Sequence, residues 1–347
     1  MSAPLLISFF LIYQFNSQIN YAQVGFRING EFGFYKSTGE ESFKQNDILT
    51  RFDGTVKYNY EDETRKASIQ LRARPEFYRF KNSITSVKIK AEGNFSQVED
   101  DFIWGADLSR QKNFFNGRGV NIDYDILFSA AHFEWLAGDG NSFQANTGYG
   151  YQNIDNNGYK LDLFFIDLML FKAPDRYFKY GYGIYVERFL INSKSYLITE
   201  QSNSLQLDLM NNGWRYGPEL SISFLRSIIL SSDYRFLIHE SKYTKNLSYE
   251  HWIRFLAGTV FFNNWSIFIL ADYYSRKFRL SGNPEFFIYP LYSPLNLENR
   301  VYLKLSRTLT ENLEVYSKIG YFKDNLYENE FSIEGWNLLL GIELSSE

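Results

Sequence analysis

The chain lacks cysteine altogether, and among its 347 residues it has only three histidines and seven prolines. The absence of cysteine excludes disulfides, thiolate nucleophiles and thiolate metal sites, and it suits a chain that crosses an oxidising periplasm unfolded. Seven Pro and 23 Gly are too few for a disordered polymer. A formal net charge of −4 offers no basic surface, so no nucleic-acid partner is expected. No internal apolar run reaches the length of a helical membrane span. The mean hydropathy of −0.33 is that of a polar protein.

What is present in excess is aromatic: 27 Tyr, 33 Phe and 6 Trp, or 19% of the chain. Aromatics favour strands and membrane-interface girdles over helix bundles. The one continuous apolar run outside the strands is Leu5 to Tyr13, too short to span a bilayer as a helix. Polar residues follow it, and then Tyr21-Ala22-Gln23. Residues 1–22 therefore read as a secretory signal peptide cut after about Ala22, and residues 23–347 as the mature domain. No Lys or Arg precedes the run and Asn20 fits a cleavage site poorly, so a buried N-terminal strand is the alternative.

The stretch from Trp214 to Phe236 sets the pattern for the rest. Trp214, Tyr216, Pro218, Leu220, Ile222 and Phe224 fall on one side, against Arg215, Gly217, Glu219 and Ser221 on the other. After Arg226-Ser227, Leu230, Ser232, Tyr234 and Phe236 oppose Ser231, Asp233 and Arg235. Two period-two amphipathic strands joined by almost no loop form a hairpin. Full charges in the middle of the polar rows suit a wall with lipid on one face and water on the other. The alternation recurs from Val24 to Leu344 and predicts about sixteen strands without an interdomain linker, or 14 or 18 if joins merge or a hairpin is missed. At Ala130-Ala131 the apolar row changes phase, which predicts a β-bulge.

The connections alternate in length. Short turns are expected around 61–63, 99–100, 138–140, 174–175, 226–227, 263–264 and 310–312. Mostly longer joins are expected at 36–45, 112–119, 191–202, 241–246, 280–295 and 327–330. Trp104, Trp135, Tyr180, Phe261 and Trp265 flank the short turns, and Phe77, Trp214, Tyr234, Tyr249, Tyr273 and Trp336 would line the opposite rim. These are two interfacial girdles. The fold class expected is all-β, a transmembrane antiparallel up-and-down β-barrel.

On these residues the chain resembles Gram-negative outer-membrane β-barrel proteins and is porin-like in length. The resemblance covers nearly all of the mature chain and rests on architecture rather than on a family motif. It implies location in the bacterial outer membrane, contact with outer-membrane lipid, insertion by the outer-membrane assembly machinery and a homo-oligomeric state left open. The ending Leu344-Ser345-Ser346-Glu347 departs from the terminal aromatic usual in such barrels, which puts recognition by that machinery in question.

Candidate chemistry is sparse. His239-Glu240-Ser241 has the residue types of a hydrolytic triad, but neighbours on a strand point to opposite faces. His132 beside Glu134 meets the same difficulty, and His251 reads as an interfacial residue. Asp123 and Asp125 share a face and are read as lumenal, with Asp107 a candidate third carboxylate for a cation; a plain polar wall is the simpler reading. Arg72, Arg74, Lys88 and Lys90 would form a positive ladder opposing Glu219, Asp233 and Asp272 across the lumen, unless Asp53, Glu76 and Glu92 pair with them. Arg215, Arg235 and Arg254 complete the candidate pore lining. Phe286, Phe287, Tyr289 and Tyr292, in a loop with Pro284, Pro290 and Pro294, are candidate loop contacts for a constriction or a ligand. No catalytic residue, metal or cofactor is assigned.

Three functions follow. The first is a passive or substrate-preferring channel for small hydrophilic solutes. Another is a non-conducting envelope barrel that docks a surface or periplasmic partner. The third is a lipid-modifying outer-membrane enzyme.

Overall fold

The computed structural model describes the chain except residues 1–20, 38–45, 79–83, 118–119, 155–157, 199–203, 263, 278–297, 328–330 and 347. Sixteen strands pair in sequence order and β1 closes on β16, giving an antiparallel up-and-down barrel. They are β1 (Tyr21–Ser37), β2 (Asn46–Glu61), β3 (Arg65–Tyr78), β4 (Ile84–Glu99), β5 (Phe102–Gly117), β6 (Val120–Gly138), β7 (Asn141–Ile154) and β8 (Tyr159–Lys172). The second half comprises β9 (Phe178–Ile198), β10 (Ser204–Leu225), β11 (Ile228–Ser241), β12 (Thr244–Phe261), β13 (Trp265–Lys277), β14 (Glu298–Thr310), β15 (Leu313–Tyr327) and β16 (Phe331–Ser346). Closure leaves no sheet edge for water or another chain to pair with.

All seven expected short turns lie on one end of the barrel. Several of the longer joins are shorter than expected, and the expected 280–295 join lies outside the described residues. β9 and β10 pair from Phe178/Phe224 out to Ile198/Ser204, so most of the expected 191–202 loop is strand. β5 and β6 likewise run to Gly117/Val120 through the expected join at 112–119. These residues carry strand-forming side chains, but the charges among them look loop-like in sequence.

Turn chemistry is local. Gly138, Asp139 and Gly140 have φ of 81°, 51° and 73°, left-handed values for which glycine pays no steric cost. At the β2–β3 turn the Asp62 carboxylate accepts the N–H groups of Thr64 and Arg65 at 2.9 and 2.6 Å. Pro75 and Pro218 sit inside strands where the β2–β3 and β10–β11 pairing is interrupted, between Arg51 and Gly54 and between Tyr216 and Glu219. A proline has no N–H to donate to the ladder.

The outer surface is apolar where hydrocarbon would lie. Outward residues such as Phe34, Leu340, Phe164, Ile166 and Ile342 are between 51% and 65% exposed. An apolar belt of this size is not tolerated by a soluble monomer. Trp104, Phe133 and Trp135 mark its short-turn edge; at the other edge Tyr234, Phe236, Tyr249 and His251 pack together, with the Tyr234 hydroxyl 2.9 Å from His251 Nδ1.

The inner surface is zoned. Toward the loop end, inward apolar side chains form one buried cluster that includes Tyr35, Leu49, Tyr78, Tyr124, Phe165 and Phe189. Phe165 stacks between Phe128 and Tyr185, at 5.4 and 5.9 Å between ring centroids. Gly148 leaves room for it, since a Cβ there would come within 2.5 Å of the Phe165 ring. Burying each such side chain stabilises by about 1.5–3 kcal/mol.

Across β5–β9 the two faces exchange polarity along the strands. Near the short turns Phe133 and Trp135 point out while His132 and Glu134 point in; nearer the loops Asp125 points out and Tyr124 and Ile126 point in. β8 repeats it, with Leu170, Leu168, Ile166 and Phe164 outward and then Asp162 and Lys160. The outward apolar run of β6, from Leu127 to Trp135, matches the length of a tilted bilayer-spanning strand. Beyond it the wall stands in water, so its apolar residues turn inward as in a soluble protein.

Two expectations therefore change. No bulge occurs at Ala130-Ala131: the pairing of β6 with both neighbours is continuous there, and its register shift lies between Leu136 and Gly138. What looked like a phase slip is the exchange of faces. Asp123 and Asp125 are on the outer side, not the lumenal one, and Asp125 binds the exposed Arg110 at 2.6 Å.

Candidate functional site

The inward charges gather in two places. The first is a buried network carried by β8–β13. Arg215 donates from Nη1 to Glu187 at 2.9 Å and from Nη2 to Glu250 at 2.5 Å. Glu250 also meets His239 Nδ1 at 2.8 Å and accepts the Tyr274 hydroxyl at 3.0 Å, and Glu187 accepts the Tyr185 hydroxyl at 2.6 Å. Glu187 and His239 are wholly buried and Glu250 is 1% exposed. Arg235 pairs with Glu219 and lies over the Tyr185 and Trp252 rings, at 3.8 and 4.8 Å to the centroids. Asp233 accepts the Ser221 hydroxyl at 2.7 Å, and Asp272 holds both Arg254 and Arg300, at 3.0 and 2.7 Å.

Arg215, Glu219, Asp233, Arg235, Arg254 and Asp272 thus all face inward. Asp233 does so through the Ser221 hydroxyl and the others in ion pairs, rather than as a wet acidic wall. Buried charges must be paired and hydrogen-bonded, and Glu187, Glu250 and Asp272 meet that demand by each taking more than one donor.

The second place is a cavity of about 230 Å³ between β14–β15 and β1–β3. Arg51, Arg72 and Arg74 line one side, and Arg300, Lys304 and Lys318 the other. Arg72 and Arg74 stand opposite Lys90 and Lys88 in the β3–β4 register, so the ladder of four cations exists. Its carboxylates are close by: Arg72 pairs with Asp53, Arg74 with Glu76 at 2.9 Å and Lys90 with Glu92 at 2.5 Å. Sequence reasoning missed Arg51, Arg300, Lys304 and Lys318 as members of this site. β14–β15 and β1–β3 are far apart in sequence and meet only because the barrel closes.

The histidines do not converge on a nucleophile. His239 binds Glu250, while Glu240 points outward and accepts the Tyr216 hydroxyl at 2.9 Å. Ser241 Oγ lies 2.9 Å from Thr244 Oγ1. His132 Nδ1 lies 3.4 Å from Asp107, which therefore does not join Asp123 and Asp125. Among the described residues no three His, Cys, Asp or Glu side chains gather to hold a metal. Phe286, Phe287, Tyr289 and Tyr292 lie outside the described residues.

A closed, even-stranded barrel with short turns at one end, an apolar outer belt and a charged interior defines a transmembrane β-barrel of the bacterial outer membrane. Solved barrels share this general form. The chain is similar to an outer-membrane OmpT of Vibrio cholerae, at 13% identity and TM-score 0.46 over 95% of this chain and 99% of that one. It is also similar to a bacterial polysaccharide outer membrane secretin, at 8% identity and TM-score 0.42 over 93% and 98% of the two chains. For OprB of Pseudomonas putida the values are 10% identity and TM-score 0.41, over 94% of each. No family model and no curated protein matches the chain.

Proposed function

We propose that the protein is an outer-membrane channel for small hydrophilic solutes whose path is confined to one sector of the wall, from β14 round to β3. The cavity in that sector carries the reading. Its lining is mostly charged and amide groups, with Tyr302, Tyr316 and Tyr321, a surface a hydrated solute can exchange water with. A barrel of sixteen strands is wide enough for an aqueous channel when its interior is not filled. Here the β8–β13 sector is filled by the Arg215 network, and the apolar cluster occupies the loop end. The path is accordingly narrow and substrate-preferring.

Planar-bilayer recording of the purified barrel tests this. Small step conductances, well below those of a wide porin, are expected; a folded barrel giving no steps would overturn the channel. The same buried network and apolar cluster favour the second reading, a non-conducting barrel that docks a partner.

A further inference from the structure

We infer that the cavity between β14–β15 and β1–β3 is a binding site for a compact organic anion that also carries hydroxyl groups, of the class of sugar phosphates. The inference deepens the channel reading and rests on it for its role in uptake.

Charge is the first ground. Six cationic side chains line the cavity against three carboxylates, Glu31, Asp53 and Glu76. Those carboxylates are already heavily committed. Glu31 accepts Arg51 at 3.0 Å and the Tyr316 hydroxyl at 2.9 Å as well as Lys318, and Glu76 takes Arg51 at 2.8 Å and Arg74 at 2.9 Å. Asp272 and Glu314 hold Arg300 and Lys304 at 2.7 and 2.5 Å, yet neither lines the cavity. The carboxylates therefore orient the cations from the wall, and a lining in which cations outnumber carboxylates favours anions. Arginine forks additionally suit the planar oxygens of phosphate and carboxylate.

A second, independent ground is an acceptor. Asn337 is 8% exposed and lines the cavity, and its Oδ1 has no hydrogen-bond partner. A buried carbonyl oxygen without a donor costs free energy that a ligand hydroxyl would recover. An anion with no proton of its own, such as sulfate, cannot supply that donor; a hydroxylated anion can.

Size is the third. At about 230 Å³ the cavity has room for one small organic molecule rather than a polymer. Tyr35, Leu49 and Tyr78 stand immediately loopward of Glu31, Arg51 and Glu76 on the same strands. Tyr35 and Tyr78 meet edge to face at 5.6 Å.

Calorimetric titration of the full-length barrel in detergent with glucose 6-phosphate, sulfate and glucose tests the site. Saturable binding of glucose 6-phosphate is expected, with weaker binding of sulfate and none of glucose. Arg74→Gln should weaken glucose 6-phosphate at least about tenfold, the loss of one charge-assisted contact. Asn337→Leu should leave sulfate binding unchanged and remove the preference for the sugar phosphate. A heat-modifiable gel shift establishes that each variant is folded. Glucose binding as well as its phosphate, or folded protein binding no anion, overturns the inference. Binding without conductance would sink the channel and leave the site standing; conductance without binding would do the reverse.

Discussion

Arg215 and Glu250 meet at 2.5 Å with side chains only 6% and 1% exposed, an ion pair removed from solvent inside a barrel of lipid-spanning width. Glu187 completes it on the other side of the same guanidinium at 2.9 Å. One cation is therefore shared by two carboxylates, with His239 and two tyrosine hydroxyls taking the remaining bonds.

Removing that cation should be costly. Arg215→Leu strands two buried carboxylates, and a loss of about 3–5 kcal/mol is expected. Urea unfolding in detergent followed by tryptophan fluorescence measures it. The double variant Arg215→Leu/Glu250→Gln should recover part of the loss, and equal stability of wild type and single variant would show the pair to be hydrated.

The exchange of faces on β6 can be read with thiols, because the chain has no cysteine of its own. In intact cells Asp125→Cys should react with a membrane-impermeant maleimide and Ile126→Cys should not. The opposite pattern would restore the lumenal placement of Asp125.

The apolar belt has a boundary on β8. Ile166→Arg puts a charge on the lipid face and should destabilise the barrel by about 2–4 kcal/mol. Lys160→Arg, six residues along and beyond the boundary, should change stability little. Unfolding from lipid vesicles compares the two, and a tolerated Ile166→Arg would mean that this face does not meet hydrocarbon.

At the β2–β3 turn the Thr64 N–H, aided by that of Arg65, holds the Asp62 carboxyl below its usual range. A folded pKa below the unfolded one contributes stability above the unfolded value, lost as pH falls through the folded one. Wild type should thus exceed Asp62→Asn in stability at neutral pH, with the difference vanishing in acid below the ordinary carboxylate range. A difference that persists in acid would show that ionisation of Asp62 plays no part.

The secretory leader is tested by the mass of the mature protein, expected to begin near Gln23. β1 begins at Tyr21, so cleavage there trims only its first two residues.

Much of this was legible in the residues alone. Alternation such as Trp214, Tyr216, Leu220 and Ile222 against Arg215 and Glu219 is enough to define a strand and its greasy side, and the alternation of short and long joins is enough to count sixteen. Period two says which residues share a face; it does not say what that face meets. For Tyr124 and Asp125 that depends on depth, and depth depends on how far neighbouring strands extend beyond the bilayer.

The sequence by itself therefore determined a closed barrel of about sixteen strands and most of its lipid belt, because those follow from local periodicity and the need to satisfy every backbone group in hydrocarbon. Only the tertiary structure decided that Arg51 and Arg74 face a cavity shared with Lys318, that Arg215 is locked between Glu187 and Glu250, and that Asp125 looks outward. Those relations join strands distant along the chain, and closure and register alone bring them within reach.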